Sequence, residues 1–486
     1  MSRINQIIDK YRSMNHVAKA TIWFVICSFI QRGITVISTP IFTRLLTKEE
    51  YGTFSVFSSW LEILTVIFTL RICYGVYMRN LVKYPDERDG YSSSLLGLTT
   101  ILTGAWFVVY MLFSRPVNNF LKLSFPMMIC MFIMILFSSA FSFWSARERV
   151  DYQYKKLIII SVLVSILKPV VGIVLVLSVQ DNKVFARILG LTIVEVILYG
   201  ILYVVQMRRG RAFYRKDYWL GALKFNLPLV PHYLSQIILN HSDRIMINSM
   251  CGEGDAGIYS LAYSMAMIMV LFNTSLQNTI SPWNYEQLKK KNYPAMQRIG
   301  NLTALIIAVI NFLLILVAPE MLRLFAPVSY HGALFVIPPV SMGVFFMYLY
   351  GLFVNVEMYY GKNYFVLTAS VTGAVANIIS NAIFIPIFGY IAAAYTTLGS
   401  FLLYSVMHGA FSEYIRRKEK VAERFYQYPV LFLITGIFLI GSFLIMMTYS
   451  IPVLRYSIVI AIAVVIILLR KKIRNLIKQF MGMRSK

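Results

Sequence analysis

The sequence predicts an all-α polytopic membrane protein with about fourteen transmembrane helices. Three observations carry that prediction. Hydrophobic residues make up 58% of the chain and charged residues only 14%. Apolar runs of about 20 residues recur along the whole length, each long enough to cross a hydrocarbon core of roughly 30 Å. The basic residues are not spread evenly but gather in every second loop, which is the pattern of loops facing the cytoplasm.

The elements follow in chain order. Residues 1–16 place Ile4, Ile7, Ile8, Tyr11 and Met14 at helical spacing among Arg3, Lys10 and Arg12. They read as a short amphipathic helix lying on the inner leaflet. This is not a cleavable signal, because the first apolar run is too long and no small-residue cleavage site follows it. Six runs come next within 17–206, at 17–39, 53–78, 92–113, 125–143, 157–179 and 184–206. A basic cytoplasmic linker at 207–219 carries Arg208, Arg209, Arg211, Arg215 and Lys216. Six further runs fill 220–411, at 222–241, 256–280, 299–318, 332–354, 364–385 and 391–411. A second basic linker spans 412–428. Two last runs lie at 429–448 and 453–470, before a basic tail at 471–486. The runs are read as helices because a helix satisfies its own backbone hydrogen bonds in lipid.

The net charge of +25 suggests a nucleic-acid partner, but its distribution argues against one. Most of the 46 Lys and Arg fall on the side that holds both termini, so both termini are assigned to the cytoplasm. Cys27, Cys73, Cys130 and Cys251 show no motif spacing, and His16, His232, His241, His331 and His408 show no metal-ligand spacing. No metal site, catalytic residue or cofactor is expected. Loops are too short for an external catalytic domain, which disfavours a membrane glycan polymerase or ligase.

A repeat is visible. Thr43-Arg44-Leu45-Leu46 and Glu50-Tyr51-Gly52 follow the first run. Asp243-Arg244-Ile245-Met246 and Ala256-Gly257-Ile258-Tyr259 follow the seventh. Six spans separate the copies, so the halves share one orientation, an arrangement that puts a substrate site between them. Pro169, Pro228, Pro231, Pro338 and Pro339 fall within runs and are expected to bend or break them.

Arg32, Arg71, Lys168 and Lys224 lie in or at the edge of apolar runs. A charge at the centre of a membrane helix costs about 2.5–3.5 kcal/mol on insertion scales. Such a residue faces a cavity, a partner charge or an ionic substrate. Counting outward from the loops sets Arg32 level with Glu62 on the next helix, and Lys168 level with Glu195. Each is a candidate pair, either a structural bridge or a switch opened by substrate phosphate or a coupling proton. Arg71 and Lys224 have no carboxylate at their depth and sit nearer the cytoplasm, either snorkelling to headgroups or lining a loading cavity. Asp243 and Arg244 fall at the outer end of the seventh run and point to different faces. Arg244 is a candidate outer gate residue or a helix-end anchor. Asn226, Gln236, Asn240, Asn273, Gln277, Asn278, Asn377 and Asn381 read as interhelical hydrogen-bond formers more readily than as sugar ligands.

Several segments resemble oligosaccharide flippases, the polysaccharide transport branch of the multidrug/oligosaccharidyl-lipid/polysaccharide superfamily. Ala376-Asn377-Ile378-Ile379-Ser380-Asn381, then Ile385-Pro386, Gly389 and Ala392-Ala393-Ala394, is similar to that family's eleventh-to-twelfth helix signature. Arg44-Leu45-Leu46 with Glu50-Tyr51-Gly52 resembles its first external loop. Leu227-Pro228 with Asp243-Arg244-Ile245-Met246 and Gly257-Ile258-Tyr259 resembles its seventh-helix segment. The resemblance implies a MATE-like fold in which spans 1–6 and 7–12 form two pseudo-symmetric six-helix bundles around a central cavity, with two C-terminal helices appended. It implies flipping of an undecaprenyl-pyrophosphate-linked oligosaccharide across the bacterial inner membrane, and a polysaccharide polymerase or chain-length machinery as a partner. The cations suit such a substrate, since arginine donates bidentate hydrogen bonds to pyrophosphate and lysine offers a point charge. On that reading Arg32, Lys168, Arg71, Lys224 and Arg244 contact the headgroup, while Glu62, Glu195 and Asp243 act in charge pairs or in coupling to H+ or Na+. A cation-coupled exporter of small molecules and a lipid II flippase are the neighbouring alternatives.

Overall fold

The computed structural model describes residues 16–83 and 85–468. The amphipathic segment expected before residue 16 and the basic tail after 470 lie outside these residues. Among the described residues the chain is helical with no strand.

The N-terminal half consists of α1 (His16–Leu45), α2 (Lys48–Thr69), α3 (Val76–Lys83), α4 (Arg88–Leu112), α5 (Ser114–Leu121), α6 (Phe125–Val150), α7 (Tyr154–Ser178) and α8 (Lys183–Gly210). After α9 (Lys216–Asn226) comes the C-terminal half: α10 (Val230–Met250), α11 (Glu253–Ala266), α12 (Val270–Lys290), α13 (Tyr293–Leu316), α14 (Ala318–Phe325), α15 (Ile337–Tyr359), α16 (Asn363–Phe388) and α17 (Tyr390–Lys418). Two further helices, α18 (Tyr428–Met447) and α19 (Pro452–Leu468), complete the chain. Twelve helical segments among the described residues are long and apolar enough to cross a membrane. The other two of the fourteen expected spans are helices that fall short of that mark. In the seventh, α10 carries His232, Gln236, Asn240, His241, Asp243 and Arg244 along its length. In the fourteenth, α19 runs for 17 residues.

Two helix starts or ends differ from the sequence reading, and the break expected at Pro228 and Pro231 is present; each has a local reason. The second run was expected to continue to residue 78, but α2 ends at Thr69. Leu70 and Arg71 adopt left-handed φ values of 48° and 45°, and Gly75 follows at 63°. Left-handed backbone costs a non-glycine residue about 1–2 kcal/mol. It persists here because the Asn226 side-chain amide donates to the Leu70 and Arg71 carbonyls at 3.3 and 3.0 Å. The seventh run is broken: Pro228 sits in a 3-10 turn between α9 and α10, and Pro231 opens α10. Pro338 and Pro339, expected to bend the tenth run, instead occupy the first turn of α15. A proline there loses no intrahelical bond, so no break results.

Two close crossings set the architecture. In the first half, α7 and α8 approach so tightly that a Cβ on Gly190 would lie 2.9 Å from the Gly172 backbone. This crossing brings Lys168 beside Glu195. Between the halves, α2 meets α11 and α10. The start of α2 is held by a capping box, with Thr47 Oγ1 accepting from the Glu50 N–H and the Glu50 carboxylate accepting from the Thr47 N–H. Nearby, Thr43 donates to the Phe325 carbonyl at 2.6 Å, Arg44 to the Leu324 carbonyl at 2.9 Å, and Tyr330 to the Thr47 carbonyl at 3.2 Å. The two halves are thus clamped at the end opposite the basic linkers.

Candidate functional site

Lys168 lines two polar cavities, one between the halves and one walled by the N-terminal half with His241 of α10. The first, of about 580 Å³, is walled by Arg32, Gln31 and Thr35 of α1, Ser165 and Lys168 of α7, and Thr274 of α12. The second, of about 470 Å³, is walled by Glu62, Arg71, Lys168, Glu195, Tyr199 and His241, with a set of serines and threonines from α2 and α6.

The Lys168–Glu195 pair expected from depth is present. Lys168 Nζ donates to Glu195 Oε1 at 2.5 Å. The Glu195 side chain is only 5% exposed against 27% for Lys168, so the lysine can turn away while the carboxylate cannot. The second carboxylate oxygen, Oε2, is buried without a hydrogen-bond partner. Such an atom carries a desolvation cost that a ligand donor would remove.

The Arg32–Glu62 pairing is not formed. Glu62 faces Arg71 at 3.7 Å, and Arg32 faces the first cavity. Depth was matched, but packing was not, because α1 leans on α7 far more than on its sequence neighbour α2. Arg71 was expected to lack a carboxylate. The left-handed turn after Thr69 folds the chain back and returns its guanidinium toward Glu62, above the Tyr74 ring at 5.0 Å. Lys224 is exposed on α9 and lines neither cavity.

Asp243 and Arg244 do point apart. Arg244 folds along its own helix, donating to the Asn240 carbonyl and contacting His241 Nδ1, both at 3.2 Å, with the Tyr263 ring 4.5 Å away. Asp243 is buried, and its carboxylate accepts from Tyr259 at 2.5 Å, Thr397 at 2.6 Å and Asn381 at 2.7 Å. It is a hub joining α10, α11, α16 and α17 rather than half of an ion pair. Most of the polar amides also join helices: Asn273 donates to the Val344 carbonyl, Gln277 to the Tyr348 carbonyl, Gln236 to Tyr404 and Asn377 to Thr397.

Sequence reasoning passed over further charged groups, among them Arg187 and Glu357. The Arg187 guanidinium lies between the Phe42 and Phe54 rings, 3.8 and 3.5 Å from their centroids. Its only signal was position, one turn inside the sixth run. Glu357 accepts from or donates to His408 Nδ1 at 2.7 Å, with both side chains fully buried. Glu357 fell just beyond the tenth apolar run, and nothing in the sequence links it to a histidine fifty-one positions away.

Comparison with known proteins agrees with this architecture. A family model described as polysaccharide biosynthesis protein matches residues 17–286. Lsg locus putative protein 1 of Haemophilus influenzae is 23% identical over 390 residues, covering 75% of this chain and 90% of that protein. An uncharacterized membrane protein of the same organism is 21% identical over 340 residues, covering 66% and 79%. Among solved structures, the lipid II flippase MurJ in an inward closed conformation superposes with a TM-score of 0.71 at 14% identity, over 93% of this chain and all of that one. An inward-facing multidrug resistance MATE family transporter of the MOP superfamily gives 0.61 at 11% identity, over 83% of this chain and all of that one. At these identities the structural likeness speaks for the fold, while the family match covers more than half of the sequence. The chain is therefore a multi-pass membrane protein that belongs to the polysaccharide biosynthesis protein family and has a MATE-like fold.

Proposed function

We propose that the protein flips a polyprenyl-pyrophosphate-linked oligosaccharide, a repeat unit of surface polysaccharide or O-antigen, from the inner to the outer leaflet of the bacterial cytoplasmic membrane. The observation that carries this reading is the place of Lys168, on the wall between a cavity holding Arg32 and a cavity holding Glu195. A glycosyl pyrophosphate cannot cross lipid without losing its hydration. A membrane-embedded space with cations at one end and hydroxyls at the other replaces that hydration, while the polyprenyl tail stays in lipid.

In this mechanism the pyrophosphate takes Lys168 from Glu195 and engages Arg32. Arg71 lines the same path and Lys224 its cytoplasmic approach. Arg244 sits on the outer side. The release of Glu195 biases the equilibrium between access states, since a ligand shifts states by its differential affinity for them. A coupling H+ or Na+ would act at the carboxylates of Glu62, Glu195 or Asp243. The basic loops favour cytoplasmic termini, and a polysaccharide polymerase would receive the flipped unit.

Deleting the gene tests the reading. Loss of surface polysaccharide with viability intact supports it. Loss of viability would favour a lipid II substrate, and heightened drug sensitivity with unchanged glycan would favour a small-molecule exporter.

A further inference from the structure

The two cavities offer opposite chemistry. In the Arg32 cavity the charged groups are the guanidinium of Arg32 and the ammonium of Lys168, with no carboxylate among the lining residues. That compartment suits an anion. The second cavity holds Glu62 and Glu195 against Arg71 and the shared Lys168. Its serine and threonine side chains add acceptors rather than donors. Ser58 donates to the Phe54 carbonyl, Thr65 to Leu61, Ser138 and Ser139 to Ile135, and Ser142 to Ser138. Each O–H is used within its own helix, and what faces the cavity is the oxygen lone pairs. Glu195 Oε2 is buried and has no donor. One turn along α8 from Glu195, the Tyr199 ring lines the cavity with the Phe141 ring stacked against it at 4.6 Å.

Charge balance makes this asymmetry matter. While Lys168 holds Glu195, the second cavity carries two carboxylates and two cations. When an anion in the first cavity draws Lys168 away, Glu62 and Glu195 face Arg71 alone. The buried Glu195 carboxylate then needs donors from elsewhere, because an unpaired buried charge is strongly destabilising.

We propose that the second cavity is the seat of the sugar next to the diphosphate, that this sugar supplies hydroxyl or amino donors to the freed Glu195 carboxylate, and that the compartment therefore selects a neutral or amino sugar over a uronic acid at that position. This rests on the flippase reading above and adds a substrate class to it. A carboxylated sugar would meet Glu62 and Glu195 with like charge and no spare cation, whereas a hexose or amino sugar meets the carboxylates and the serine and threonine oxygens as acceptors, beside the Tyr199 ring.

The test uses the full-length protein in lipid nanodiscs and three probes: farnesyl diphosphate, farnesyl diphosphate bearing one neutral hexose, and the same compound bearing a hexuronic acid. In the wild type the hexose compound is expected to bind about tenfold more tightly than the bare diphosphate, the effect of one good hydrogen bond to a charged group, and more tightly than the hexuronate. Glu195→Gln is expected to raise affinity for the bare diphosphate, because Lys168 is no longer held, and to shrink both the hexose advantage and the hexuronate penalty. Equal binding of hexose and hexuronate compounds by the wild type, or a hexose advantage untouched by Glu195→Gln, overturns the sugar assignment alone. A wild type that binds none of the three overturns the flippase reading as well. If Glu195→Gln does not accumulate, the wild-type order of the three probes decides.

Discussion

Gly52 of α2 and Gly257 of α11 cross face to face where the two halves meet. A Cβ on Gly52 would fall inside the radius of the Glu253 carbonyl oxygen and 2.9 Å from the Gly257 nitrogen. A Cβ on Gly257 would strike the Lys48 carbonyl oxygen in the same way and sit 3.1 Å from the Gly52 nitrogen. These are the equivalent glycines of the internal repeat, so the repeat is in contact with itself across the pseudo-symmetric axis.

Backbone on both sides leaves no flexible group to yield, so an added methyl must part the helices. Overpacking of this kind costs about 1–3 kcal/mol, enough to shift an access equilibrium severalfold or more. Gly52→Ala and Gly257→Ala are each expected to open the clamp opposite the basic linkers. Cysteines at Lys48 and Gly254, whose Cβ would lie 3.3 Å from the Lys48 Cε, report on it. Crosslinking yield should fall severalfold in either alanine variant, and an unchanged yield would refute the clamp.

Lys168→Ala is expected to abolish polysaccharide export. Alone it also leaves a buried carboxylate bare, a loss of about 3–5 kcal/mol when one partner of a buried pair is removed. Lys168→Ala with Glu195→Ala removes both charges and should restore abundance without restoring export. Immunoblots of membranes beside surface-glycan staining separate the two effects. Recovery of export in the double variant would mean that the pair is only structural.

Arg187 should resist even a conservative change. Lysine keeps the charge but cannot lie flat between the Phe42 and Phe54 rings. A desolvated cation–π contact is worth about 2 kcal/mol. Arg187→Lys is therefore expected to lower the Tm in detergent by several degrees, and a Tm equal to that of the wild type would rule out the stacking role.

Asp243→Asn tests the hub. Asparagine presents an NH2 to a ring of donors, Tyr259, Thr397 and Asn381, where the carboxylate accepts from all three. At least one buried donor is left without an acceptor, at about 1–3 kcal/mol. Reduced stability of the C-terminal half is expected, read as faster proteolysis between α10 and α17. Asp243→Asn matching the wild type in that assay would show that the hub is dispensable.

Much of this was legible in the sequence because lipid imposes a simple rule on a spanning segment. A run such as 157–179 must be helical whatever it packs against, and the structure places α7 there. The Lys168–Glu195 pair was legible too, since one short loop joins α7 to α8 and fixes both depths. The same count failed for Arg32 and Glu62. Depth gives height along the membrane normal but not azimuth, and α1 turns toward α7. The second run failed at its end because Leu70 and Arg71 take a backbone conformation that neither residue favours, imposed by Asn226 from a helix 155 positions away.

The sequence by itself determined the class of molecule, the run of helices, the repeat and the Lys168–Glu195 pair. Those follow from local hydrophobicity and spacing, which solvent and lipid read one segment at a time. Only the tertiary structure decided which charges meet: Glu62 with Arg71 rather than Arg32, Asp243 with three neutral donors, Arg187 with two rings, and Lys168 with a cavity on either side. Helix rotation and packing partner set those choices. They depend on contacts summed over the whole bundle and leave no periodic mark on the segment that carries the charge.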